Sequence, residues 1–203
     1  MPRRDPFRIL VSAVLSTRTQ DPVTAAATAR LFREAANPRT LARLSPARIR
    51  KLIFPVGFYR TKAKLLPQLA RMLVALPDRG RRGQRSHGGV PRTMSELLEL
   101  PGVGRKVANI VLSQGFGLPA IAVDTHVQRI SNRLDLVRSS RPMDTERALM
   151  GILPRRCWRD WNHLLVALGQ TICRPRRPLC PACPVSRLCP KRGVPKRRVN
   201  REW

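Results

Sequence analysis

The sequence predicts an all-α protein. Three observations predict it. Apolar residues recur at helical spacing along nearly the whole chain, strand-like alternation is scarce, and N-terminal helix signals return repeatedly. With 203 residues the chain is long enough for one large domain or two small ones, and it needs no disulfide to fold.

Near the N-terminus, "MPRRDPFRILVSAVLS" has a basic start and a short apolar run. Arg8 stands ahead of that run and "TRTQD" follows it, where a small-residue cleavage site belongs, so the segment does not read as a secretory signal. Asp21-Pro22 offers an N-cap with proline at the first helical position, opening "VTAAATARLFREA". Ser45-Pro46 repeats the device before "ARIRKLI". Pro67 interrupts "TKAKLLPQLARMLVAL", where it is expected to kink or split the helix. Residues 78–89, "DRGRRGQRSHGG", read as a basic Gly-rich loop, either a phosphate contact or a solvated charge run. Thr93 with Glu96 fits a capping box before "LLEL". Asp124 precedes "THVQRISNRL", Asp144 precedes "TERALMGIL", and "WNHLLVALGQTIC" runs apolar into a cysteine cluster. The tail "KRGVPKRRVNREW" reads as a basic arm.

Forty Lys and Arg face twelve Asp and Glu, a formal charge of +28. Such a chain repels itself unless a polyanion is at hand, which points to nucleic acid. No run of about 18 apolar residues occurs, so no membrane span is expected. The chain reads as intracellular, where clustered cysteines point to a metal site rather than to disulfides.

The stretch "ELPGVGRKVANIVL" joins two helices through Pro101-Gly102-Val103-Gly104. The glycines permit a tight turn, and a turn feeding a helix N-terminus presents backbone N–H groups to an anion such as a DNA phosphate. Lys106 lies in the first turn of the second helix, beside Arg105 and the positive helix end. It reads equally as a phosphate-binding lysine or as a nucleophile, since an uncharged amine can attack carbon and form a Schiff base. Asp124, eighteen residues on in "AIAVDTHV", stands after an apolar run at a helix N-terminus. There a carboxylate serves as a cap, in electrostatic stabilisation or in proton transfer. Four of the five cysteines follow the pattern Cys173-x6-Cys180-x2-Cys183-x5-Cys189, which suits tetrahedral Zn²⁺ or a [4Fe–4S] cluster. Cys157 stands apart in "RRCWRD" and is expected to be a buried small hydrophobe.

"LPGVGRKVANIVL…AVDTHVQRISNRL" resembles the helix-hairpin-helix DNA glycosylases, and most closely the endonuclease III family. The resemblance runs from "DPFRILVSAVLSTRTQD" through "VGFYRTKAKLL" to the last cysteine. It implies a helical barrel lobe over residues 1–118 containing the hairpin, and a cluster lobe over 119–203, with the active site in the cleft between them. It implies a bifunctional glycosylase and AP lyase that removes oxidised pyrimidines from double-stranded DNA. Lys106 would attack C1′ and Asp124 would activate it and stabilise charge on the sugar. Gly102, Val103, Gly104 and Arg105 would hold the DNA backbone. The target base must leave the stack, and Arg18 and Phe58 would fill the vacated space, with Arg18 offering hydrogen bonds to the orphaned partner base, guanine by preference. Core packing is the other reading of Phe58. For His126, positioning and catalysis stand level.

The same resemblance makes the four cysteines ligands of a [4Fe–4S] cluster, with Arg176 and Arg177 on the Cys173–Cys180 loop as phosphate contacts. It implies a monomer, cytoplasmic and associated with the nucleoid. Two other readings remain open. One is a mismatch-directed thymine or uracil glycosylase on the same scaffold. The other is a non-catalytic DNA-binding module with a structural cluster.

Overall fold

The computed structural model describes residues 5–76 and 89–194. All but Gly89 of the 78–89 loop, and the tail from 195 onward, lie outside the described residues. Among those described there are ten α-helices, one π-helical turn, two short 3₁₀ turns and no strand. The chain divides into two compact units, Met1–Ala120 and Ile121–Trp203.

The first unit is organised around α1 (Pro6–Ser16). Asp5 caps it, its Oδ1 accepting from the N–H groups of Phe7 and Arg8 at 2.9 and 3.3 Å. Phe7, Leu10, Val11, Val14 and Leu15 leave almost no surface exposed. Each such side chain removed from water contributes about 1.5–3 kcal/mol, which is why a helix apolar on most faces sits centrally. Around it follow α2 (Asp21–Glu34), α3 (Pro38–Arg43), α4 (Pro46–Ile53) and α5 (Tyr59–Ala75), with α1 against α2 and α3 and α4 against α5. The hairpin pair is α6 (Met94–Glu99) and α7 (Arg105–Ile110). α7 passes directly into a π-helical turn, Val111–Gly115, where Phe116 N–H reaches back to the Val111 carbonyl at 3.2 Å.

Ser45 caps α4 as expected, accepting from Arg48 N–H. α2 starts one residue early. Gln20 is its N-cap and Asp21 lies in the first turn, where its charge still favours the positive helix end. Thr93 caps α6 by accepting from Glu96 N–H, but its hydroxyl also donates to the Glu96 carboxylate, in place of the reciprocal bond of a full capping box. Of the expected kink or split at Pro67, the split does not occur: α5 continues from Tyr59 to Ala75. Pro67 is buried between Leu66 and Leu69 on the face that packs against α3 and α4, and this burial outweighs one lost backbone bond.

The second unit contains α8 (Thr125–Arg133), α9 (Pro142–Ile152) and α10 (Trp158–Thr171), with α8 packed on α10. Its own core gathers Ile121, Val127, Ile130, Leu149 and Leu165. Asp144 falls in the first turn of α9, behind the N-cap Arg141. Beyond α10 the described residues have only a short turn, Cys180–Ala182, so their shape rests on specific bonds rather than on regular structure.

Candidate functional site

Gly102 has φ +77°, a backbone state that L side chains rarely adopt. A Cβ there would also press on the Leu65 side chain of α5, so the hairpin turn fits closely against that helix. Gly104 differs. It is the N-cap of α7 at φ −92°, and a Cβ there would meet nothing within 4 Å. Its glycine keeps the approach to the helix N-terminus open rather than relieving strain. Val103 is turned inward, 6% exposed, and its N–H is bonded to the Leu100 carbonyl. Arg105 is exposed and Lys106 half-buried in the first turn.

In the second unit Asp124 is half-buried as the N-cap of α8. Its Oδ1 accepts from the N–H groups of His126 and Val127, each at 2.9 Å. The cap fixes the carboxylate at the N-terminal end of α8. His126 is half-buried, with Nδ1 3.2 Å from the Arg129 guanidinium, and Gly169 of α10 leaves room for its ring.

Arg18 and Phe58 come together within the first unit. Both have left-handed backbone, φ 52° and 57°. The Arg18 guanidinium lies over the Phe58 ring, 5.3 Å from its centroid. Phe58 is 58% exposed, which removes it from the core. Gly57 N–H donates to Thr19 Oγ1 at 3.1 Å, and any side chain at Gly57 would overlap the Arg18 carbonyl.

The four clustered cysteines, all half-buried, line one pocket together with Arg133, Ile172, Pro178 and Val194. Arg133 is 6% exposed. Its guanidinium donates to Cys173 Sγ at 3.3 Å, to the Arg174 carbonyl at 2.7 Å and to the Pro175 carbonyl at 2.6 Å. Lys191 N–H donates to Cys189 Sγ at 3.4 Å. Leu179 N–H closes the loop onto the Ile172 carbonyl at 2.9 Å, and Arg174, Arg176 and Arg177 are exposed on it. Burial, and then the neighbouring Arg133 charge, push Arg129 below its ordinary value, while it donates to the Cys173 carbonyl at 2.8 Å. Soft sulfur donors, N–H groups aimed at sulfur and a buried cation fit an anionic metal–thiolate group. Among the described residues no three His, Cys, Asp or Glu side chains are gathered closely enough to hold a metal ion. Cys157 is half-buried in the turn Arg155–Cys157, not fully buried as expected, and does not line this cavity.

Sequence reasoning missed Arg133, Lys62, Thr19 and Gly57. An arginine in a helix of a +28 chain carries no local mark of burial, and the other three acquire meaning only when two distant loops meet.

These helices, hairpin and cysteines define a class of DNA-repair protein. Residues 11–155 match the HhH-GPD superfamily of base excision DNA repair proteins. The chain is 45% identical over 185 residues to Endonuclease III of Thermotoga maritima, covering 91% of this chain and 83% of that one. Against Endonuclease III homolog 2, chloroplastic, of Arabidopsis thaliana the identity is 38%, over 93% of this chain but 49% of that longer protein. A solved structure of a trapped endonuclease III–DNA covalent intermediate, an estranged-adenine complex, superposes with TM-score 0.81 at 38% identity, covering 93% of this chain and 84% of that one. The chain therefore belongs to the endonuclease III family within the HhH-GPD superfamily.

Proposed function

We propose that this protein is a bifunctional DNA glycosylase and AP lyase of base excision repair, acting on oxidised pyrimidines in double-stranded DNA. The observation that carries the reading is Lys106, set in the first turn of α7 directly behind the Gly102–Gly104 turn in a chain of this family. The hairpin turn and Arg105 hold a phosphate at the helix N-terminus, a contact that reads no base sequence. That contact places the lesion nucleotide relative to Lys106.

Lys106 Nζ attacks C1′ and the glycosidic C1′–N bond breaks, the base leaving with its electron pair. The Asp124 carboxylate, fixed by its cap bonds, takes up the amine's proton and balances positive charge on the sugar. Ring opening leaves an imine between Nζ and C1′, which acidifies C2′. Loss of the C2′ proton and breakage of the C3′–O bond then cut the strand 3′ to the lesion. Arg18 and Phe58 occupy the space the flipped nucleotide leaves.

Cys173, Cys180, Cys183 and Cys189 would hold a [4Fe–4S] cluster. The cysteine spacing suits Zn²⁺ as well, and membership of the endonuclease III family is what favours the cluster. When bound, the cluster supplies four metal–thiolate anchors. Arg133 balances its charge and sets the loop that offers Arg176 and Arg177 to the phosphates. The protein works as a monomer on genomic DNA, in the cytoplasm at the nucleoid.

The test is borohydride trapping on a duplex carrying an oxidised pyrimidine, beside duplexes carrying mismatched thymine or uracil. The parent gives a covalent adduct and a cut strand on the oxidised base, and Lys106→Gln gives neither. Equal processing by Lys106→Gln would overturn the lysine mechanism, and preference for the mismatches would overturn the substrate.

A further inference from the structure

α1 ends without a basic residue in its last turn, so its C-terminal carbonyls look elsewhere for donors. They find one in α5. Lys62, 6% exposed, sends its ammonium to the Leu15 carbonyl at 2.9 Å and the Thr17 carbonyl at 2.7 Å, 47 and 45 residues away in sequence. A cation at the negative end of a helix is favourable, and these two bonds are what that buried charge has in exchange for water. Burial alone pushes Lys62 down to about 8. The backbone N–H of the same residue donates to the Phe58 carbonyl at 3.0 Å. One residue therefore grips Phe58 through its main chain and the residue before Arg18 through its side chain. Thr19 stitches the same two loops a second time, accepting from Gly57 N–H. Its hydroxyl also donates to the Thr17 carbonyl at 3.2 Å.

We propose that Lys62 is the positioning residue that locks the Arg18 and Phe58 loops into a single preformed wedge, so that both side chains enter the duplex together when the nucleotide turns out. The inference rests on the reading of Arg18 and Phe58 as the residues that fill the vacated stack. Lys62 acts through them and touches neither the sugar nor the base. Two loops free to move separately would each lose rotational freedom on entering DNA, whereas a locked pair has lost it already on folding. The left-handed backbone at both tips shows how completely the surroundings determine their conformation.

The experiment compares the full-length parent, Lys62→Met and Thr19→Val on two probes. The first is a duplex with an oxidised pyrimidine opposite 2-aminopurine, whose fluorescence reports disruption of the stack. The second is a single-stranded oligonucleotide with a preformed abasic site, which needs no wedge. Lys62→Met is expected to lower kcat on the duplex roughly 10- to 100-fold, to abolish the 2-aminopurine rise, and to cleave the single strand within about twofold of the parent. Thr19→Val, which leaves the buried lysine in place, changes the duplex reaction in the same direction by a smaller factor. Loss of both activities by one common factor would show mere damage to the fold and overturn the proposal, as would an unchanged duplex reaction in both variants. A parent that cleaves neither probe sinks the functional reading and the clamp with it. A parent active on both beside indifferent variants overturns the clamp alone.

Discussion

Lys62 shows what a single buried charge does to a helical protein. Its ordinary value of 10.5 falls to about 8, and burial is the sole cause. Between those values the unfolded chain holds a proton that the folded chain has released. Stability therefore rises with pH across that window, and the penalty of burying the ammonium is fully felt below it. The neutral amine keeps two N–H groups, so both carbonyls remain served at high pH. Urea unfolding at about pH 8 and about pH 10 should show the parent gaining stability relative to Lys62→Met as pH rises, and parallel responses of the two proteins would contradict this. Lys62 was not legible in the sequence, because "YRTKAKLL" presents several cations and only the meeting of α1 with α5 selects which one is buried. Asp124 was legible as a helix N-cap, since an acidic residue ahead of an amphipathic run declares itself locally.

At the scale of the element, the hairpin separates two roles that glycine can play. Gly102→Ala forces a side chain into left-handed backbone and against Leu65, and is expected to cost about 1–3 kcal/mol of stability. Gly104→Ala meets no atom and has ordinary φ, so its stability change should stay within about 1 kcal/mol. If the turn holds a phosphate as proposed, the new methyl stands in its way, and DNA affinity is expected to fall all the same. Urea melts together with DNA titrations test the pair, and equal stability losses at both positions would contradict the assignment. The turn was readable from "LPGVG", because two glycines behind a proline have few other uses. The π-helical turn after α7 was not readable, for its i→i+5 bond depends on packing rather than on residue type. That Pro67 does not split α5 was unreadable for a related reason, since its helix-breaking tendency is local while its burial depends on the packing of α5 with α3 and α4.

For the whole molecule, the +28 charge makes every DNA affinity a function of salt. Arg176 and Arg177 are exposed on a loop closed at its base and held by Arg133, so as the proposed phosphate contacts they would bind without first losing loop freedom. Replacing both with alanine should lower the slope of log affinity against log salt by about 1.8, at roughly 0.9 per phosphate, with little change in discrimination between lesions. An unchanged slope in filter binding across a salt series would remove these two arginines from the interface. The cysteine spacing suggested a metal site from sequence, while Arg133, which sets the loop and donates to Cys173 Sγ, emerged only when residues 40 apart were brought together.

The central claim is that the Lys106 amine is the nucleophile, and reductive trapping followed by peptide mapping of the cross-linked protein tests it most directly. The account predicts one adduct, on the peptide containing Lys106, formed with an oxidised-pyrimidine duplex and lost in Lys106→Gln. An adduct mapped to any other amine, or base release with no trapped species, would contradict it.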